Sequence, residues 1–170
     1  SAARRTELDD RLVLLTRREM VASAKLAIAQ ESTLSQTPPE PNTVAVMPFH
    51  YAGADTSLAP LGRGLTQLVV NDLGQVARLR LLERERVQAL TDELKLADEG
   101  RVDPATAARS GRLLRADQVV QGTLGDAGSP NDLRLDANVV NTTTSQVTAT
   151  GSATDQLQQL FDAEKKVVLQ

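Results

Sequence analysis

Between residues 43 and 156 the apolar residues keep changing their period, and that change limits the fold more than any other property of the chain. Val44-Ala45-Val46-Met47 is an unbroken apolar run stopped by Pro48, the pattern of a strand buried on both faces. Pro60 then stands where a helix tolerates proline, in its first turn, because the missing amide has no partner to lose there. Leu61, Leu65, Leu68, Val69, Leu73 and Val76 follow at helical spacing. A second short strand is expected at 78–82. It runs into a helix whose apolar residues are Val87, Leu90, Leu94 and Ala97. Asp103-Pro104 reads as a cap followed by a first-turn proline, opening a third helix that ends near Leu114.

From Ala116 the period becomes two. A strand is expected at 118–124, a turn at 126–131, and then a strand in which Leu133, Leu135, Ala137 and Val139 alternate with Arg134, Asp136, Asn138 and Val140. Residues 142–145 turn the chain back, Val147, Ala149 and Gly151 continue the alternation, and Asp155 caps a last helix carrying Leu157, Leu160, Phe161, Val167 and Val168. The order β-α-β-α-α-β-β-β-α specifies an α/β (α+β sandwich) fold: a mixed sheet of about five strands with helices packed on it.

A long helical pattern precedes this domain over residues 4–31. Leu8, Leu12, Leu15, Ala22, Leu26 and Ala29 share one seam, widened by Leu14, Val21 and Ile28, and Glu19 interrupts it. Two readings stay open: a helix packed on its own domain or on a missing upstream repeat, and a dimerising helix. Around Pro38-Pro39-Glu40-Pro41 each proline removes an amide donor and holds its neighbour extended, so this stretch reads as a linker. The expected division is an N-terminal helix at 1–32, a Pro-rich linker at 33–42 and a compact domain at 43–170.

A chain of 170 residues holds one such domain plus an extra element. Aromatics are 2%, so Leu, Val and Ala must build the core. The net charge of −3 argues against general nucleic-acid binding, which needs a basic surface. No apolar run approaches the ~20 residues of a membrane-spanning helix. With no cysteine, disulfides, thiolate metal sites and cysteine nucleophiles are excluded together. The opening at Ser1, without Met, reads as a piece excised from a longer protein.

Reactive groups are sparse. His50 is the lone histidine and reads as a loop residue; metal binding would need further His or Cys ligands. Asp92, Glu93, Asp98 and Glu99 read as the charged surface of a helix. Gly62-Arg63-Gly64 stands near a helix start, where amides can hold an anion, but Pro60 occupies the first turn and no Gly-Lys-Ser/Thr completes a phosphate loop. Those glycines, like Gly111, read better as places where a helix approaches the sheet closely. Arg78, Arg80, Arg84 and Arg86 interleave with Glu83 and Glu85 as ion pairs on a wet face. Phe49, Tyr51 and Phe161 are too scattered to form a base-stacking platform. Asn141-Thr142-Thr143 matches a glycosylation sequon, a three-residue pattern common by chance. No catalytic residue, cofactor or metal site is expected.

These phrases, in order, resemble a known family. Val44 to Phe49 and Leu61-Gly62-Arg63-Gly64-Leu65 resemble the opening of the CsgG-like family of curli-secretion lipoproteins, whose α/β architecture recurs in TolB amino-terminal domains. Leu82 through Leu90 looks like that family's strand-to-helix signature. Ala116-Asp117 through Gly122-Thr123-Leu124, and Val139-Val140-Asn141-Thr142-Thr143-Thr144, match its third strand and hairpin. The resemblance spans about residues 43–169. It implies a periplasmic α/β domain, tethered to the outer membrane by a lipid anchor outside this sequence, that oligomerises or docks to protein partners of the envelope. The chain departs from the family in three ways. It has no room at 126–131, or after the fifth strand, for the long hairpins of the secretion channels, so a pore is not implied. Arg115 stands where Gly is usual, and Ser145 replaces a turn glycine, so both turns are expected to be strained.

The expected function is therefore a non-enzymatic assembly or scaffold domain acting through protein–protein interaction. Its contacts would come from the sheet edge, the exposed helix faces and the trio His50, Tyr51 and Arg63. The alternative is a ligand-sensing or regulatory module taking a small anion near residues 62–64.

Overall fold

The computed structural model describes residues 2–96, 103–128, 132–156 and Val168. Its elements, in chain order, are α1 (Ala2–Ala29), α2 (Glu31–Gln36), β1 (Glu40–Val46), β2 (His50–Tyr51), a 3-10 turn (Thr56–Leu58), α3 (Pro60–Gly74), β3 (Arg80–Leu81), α4 (Arg84–Glu93), α5 (Pro104–Leu113), β4 (Ala116–Asp126), β5 (Asp132–Asn141) and β6 (Val147–Gln156). One mixed sheet runs β3-β1-β4-β5-β6, with β2 paired to the far end of β4. The pairs β1–β3 and β1–β4 are parallel, whereas β4–β5 and β5–β6 are antiparallel. This is the expected α/β sandwich.

The pleat of β1 divides the core into two layers. Val44 and Val46 point to one face, where they meet Leu65 and Val69 of α3 together with Phe49, Leu124, Leu133 and Leu135. Ala45 and Met47 point to the other face and join Val87 and Leu90 of α4, Ala107 and Ala108 of α5, Val119 and Val140. Each fully buried Leu or Val stabilises the fold by about 1.5–3 kcal/mol, so mainly aliphatic residues supply both layers, with Phe49 as the one aromatic among the buried residues of these clusters. The alternation read in β5 holds for Leu133, Arg134 and Leu135. Asn138 differs: it is 2% exposed, since the second face of the strand is covered too as far as Val140.

α5 sits close to the sheet for a steric reason. A side chain at Gly111 would collide with the Cγ2 atoms of Thr142 and Val119, so only glycine lets the helix lie this near. Thr142 is fully buried and donates its hydroxyl to the Ala116 carbonyl at 2.7 Å. Arg112 donates to the Thr142 carbonyl, also at 2.7 Å. The helix, the start of β4 and the β5–β6 turn are thereby tied at one point. At the other end of α5, Asp103 accepts the Thr106 amide at 2.8 Å with Pro104 in the first turn. That hydrogen bond to the amide holds the Asp103 carboxyl below its ordinary range.

Four stretches differ from the sequence reading. Residues 33–42, read as a linker, hold α2 and the first residues of β1. Pro41 is tolerated in that strand because the β1–β4 ladder is irregular between Glu40 and Val44. His50, read as a loop residue, lies in the short strand β2, and the 3-10 turn follows at Thr56–Leu58. Asp155, read as a helix cap, lies in β6 opposite Leu133. The final helix and Ala97 fall outside the described residues, except Val168, which packs on the α3 face.

The fourth difference is the buried stripe of α1. Met20, Val21, Ala24 and Ile28 pack toward α4 and α5. The leucine seam faces solvent, with Leu8, Leu12, Leu15 and Leu26 each more than half exposed. Apolar residues lie on opposite sides of this helix, the leucine seam on one and Met20, Val21, Ala24 and Ile28 on the other, so spacing alone could not choose the packed one. α2 is then fastened to α5 by a bidentate pair, in which Arg109 Nη2 lies 3.0 Å from Glu31 Oε2 and Arg109 Nε bonds Glu31 Oε1.

Candidate interaction surface

The surface begins where β1 ends. Pro48 interrupts the ladder, and the Phe49 amide turns to donate to Thr66 Oγ1 at 2.8 Å. That hydroxyl donates in turn to the Gly62 carbonyl at 2.8 Å. A Cβ on Gly62 would lie 2.6 Å from the Phe49 carbonyl oxygen and 3.6 Å from the Tyr51 amide nitrogen. Glycine is therefore required at 62 by close approach, as the sequence suggested. Gly64 was read the same way, but it faces open space and no close approach requires it.

Beyond this knot the chain follows the end of β4. His50 pairs with Thr123 and Tyr51 with Leu124. The Ala52 amide donates to the Leu124 carbonyl at 2.8 Å, and the Ala54 amide to Asp126 Oδ2 at 2.9 Å. Asp55 accepts the Ser57 amide at 3.1 Å and closes the 3-10 turn. The segment is thus a stitched rim at the carboxyl ends of the parallel strands, the place where open α/β sheets present their crevice.

His50 and Tyr51 stand half-buried on β2, and Arg63 is exposed in the first turn of α3. The contact between Gly62 and the Phe49–Tyr51 backbone brings these two elements together. Tyr51 lies over Gly53 beside Asp126, so that a side chain at position 53 would collide with both. Burial, and after it the Asp126 carboxylate, pushes the Tyr51 phenol above its ordinary value. The start of α3 is poorly built to cradle an anion. Pro60 has no amide hydrogen, Ala59 caps without a side-chain bond, and the Gly62 amide is turned onto the Ala59 carbonyl at 3.2 Å. Among the described residues, no group of three or more His, Cys, Asp and Glu side chains gathers in a way that could hold a metal ion.

Three features were not resolved by reading residues in order. Gln121 and Asn138 are directly opposed in the β4–β5 pair, 3% and 2% exposed, and neither Gln121 Nε2 nor the Asn138 amide has a partner among the described residues. Each stands inside an apolar run, which is the signal that could have marked it. A groove of about 710 Å³ lies between α1 and α4, lined by Leu12, Val13, Met20, Arg84, Gln88 and Asp92 among others. β6 is the outermost strand of the sheet. The sheet edge was expected as a surface, but which strand formed it depended on strand order.

Comparison with known proteins bears on all of this. The sequence model of the family described as curli production assembly/transport component CsgG matches residues 24–129. The structure is similar to the C-terminal domain of LpoB from Salmonella enterica, with a TM-score of 0.52 and 14% identity, covering 75% of this chain and 93% of that one. It is also similar to LpoB from E. coli, with a TM-score of 0.54 and 15% identity, covering 75% of this chain and 64% of that one. At such identities these two likenesses speak for the fold alone. No curated protein matches the chain.

Proposed function

This chain belongs to the CsgG family, and from that premise we propose that it is a protein-interaction domain of the bacterial cell envelope, working by assembly with other proteins and not by catalysis. The observation that carries the reading is the family match itself, which runs from Ala24 near the end of α1 through β4 and so includes the β1–β2 rim. Support also comes from what the fold leaves uncovered. The rim at His50, Tyr51 and Arg63, the leucine seam of α1 and the outer edge of β6 are separate surfaces suited to macromolecular contact. The proposed location is periplasmic, with membrane attachment through a lipid anchor outside this sequence; homo-oligomerisation is part of the proposal.

A pore is not part of it. The connections β4–β5 and β5–β6 span residues 127–131 and 142–146, whereas each strand of a membrane hairpin needs about ten residues.

The test is affinity purification of the full-length protein from envelope fractions. Wild type should bring down an envelope protein in stoichiometric amount, and Arg63→Glu should lose it without lowering the melting temperature. Equal recovery by wild type and variant contradicts the assignment of the rim. The alternative, a sensor for a small anion near residues 62–64, has less support, since Pro60 has no amide hydrogen and the Gly62 amide is turned onto the Ala59 carbonyl. It predicts a thermal shift with inorganic phosphate that Arg63→Ala abolishes.

A further inference from the structure

The sheet has two edges of different kinds. β3 is two residues long, a length that offers an incoming strand almost nothing. β6 is ten residues long and contains no Lys, Arg, Glu or Pro. Edges are ordinarily blunted by shortness, charge or proline, since unpaired amides and carbonyls template another strand. Among the described residues no strand lies beyond β6.

The sequence of that edge is nearly the same read in either direction. Ala149-Thr150-Gly151-Ser152-Ala153 is symmetric about Gly151, apart from the exchange of Thr for Ser, and Thr148 and Thr154 flank it. An antiparallel strand pair with a two-fold axis places each residue opposite its mirror position, so symmetry of sequence is what a self-pairing edge requires. Pairing about Gly151 sets Ala149 opposite Ala153, Thr150 opposite Ser152, and Gly151 opposite itself. Ala149, Gly151 and Ala153 pair in the sheet with Val139, Ala137 and Leu135, so the alanine contacts extend the apolar face. Thr150 and Ser152 pair with Asn138 and Asp136 on the other face and are exposed. Their hydroxyls would meet as a cross-strand pair. No like charges oppose each other anywhere in this register.

We infer that β6 joins β6 of a second copy of this chain, making one continuous sheet across a two-fold axis. The inference deepens the proposed interaction role by naming the partner of one surface, and it is tested separately from the rim. Sedimentation of the wild-type chain from micromolar to submillimolar concentration should show a monomer–dimer equilibrium. The double variant Thr150→Lys and Ser152→Lys places like charges directly across the axis. It should keep its far-ultraviolet circular dichroism and weaken the dimer roughly tenfold or more.

Register is read with cysteines, since the chain has none. Thr150→Cys mixed with Ser152→Cys should form disulfide dimers several-fold faster than either variant alone, because only the mixed pair stands directly opposite. A wild-type monomer throughout, a dimer indifferent to the two lysines, or disulfide formation without preference for the mixed pair overturns the inference. A monomer that still captures an envelope protein through the rim would sink this dimer and leave the proposed function standing.

Discussion

Arg115 and Ser145 hold the left-handed backbone, with φ of +58° and +60°, a conformation that glycine adopts without strain. These are the two positions where the family resemblance led to an expectation of glycine. Arg115→Gly and Ser145→Gly should each stabilise the chain by about 1 kcal/mol in urea unfolding, less the entropy glycine adds to the unfolded state. The ion pair that Arg115 forfeits, 3.8 Å from Glu40 and near 45% exposed, offsets little. Gly111→Ala should do the opposite and cost about 1–3 kcal/mol, because the new methyl meets Thr142 and Val119. Tyr51 is the lone tyrosine and the chain has no tryptophan, so alkaline absorbance reads it alone. Its ionisation should fall above the ordinary tyrosine value, and Asp126→Asn should bring it part of the way back. The folded state holds that proton more tightly than the unfolded chain does. The stabilisation is complete below the unfolded value and is lost as pH rises through the folded one.

At the scale of elements, α1 and α2 are fastened to the domain by packing and by the Glu31–Arg109 pair. The hydrogen bond from Arg109 holds the Glu31 carboxyl below its ordinary value against the opposing effect of burial, and the charges of Arg109 and Arg112 assist. A depressed carboxyl contributes stability above its unfolded value and loses it as pH falls through the folded value. Arg109→Met should therefore destabilise by less than ~1 kcal/mol near neutrality, given the exposure of the pair. The difference from wild type should vanish in acid, below the carboxylate range. Much of the element order was legible because period and punctuation agreed: Pro60 and Asp103-Pro104 stand at helix starts, as they read. The packed side of α1 was not legible, since apolar residues line two opposite sides of that helix and only the tertiary packing buries the Met20–Ala24–Ile28 side. Pro41 misled for a related reason, because only the irregular β1–β4 ladder explains how a proline enters a strand.

At the scale of the molecule, the alternation in the sequence implies a mixed sheet of about five strands with helices packed on it, and the structure places those helices on both of its faces. The candidate surfaces were legible only in part. His50, Tyr51 and Arg63 were picked from the phrase order, and the structure brings their elements together through Gly62. The opposed amides of Gln121 and Asn138 depend on strand register, which no local pattern displays. The identity of the open edge depends on strand order, which is likewise nonlocal. The central claim is that this domain acts by touching other proteins in the envelope, and photo-crosslinking in intact cells tests it most directly. A photoreactive residue at position 50 or 63 of the full-length protein should give discrete adducts with envelope proteins, while one at Asp72, at the far end of α3, should give none. Adducts confined to cytoplasmic proteins, or none from the rim, would contradict the account.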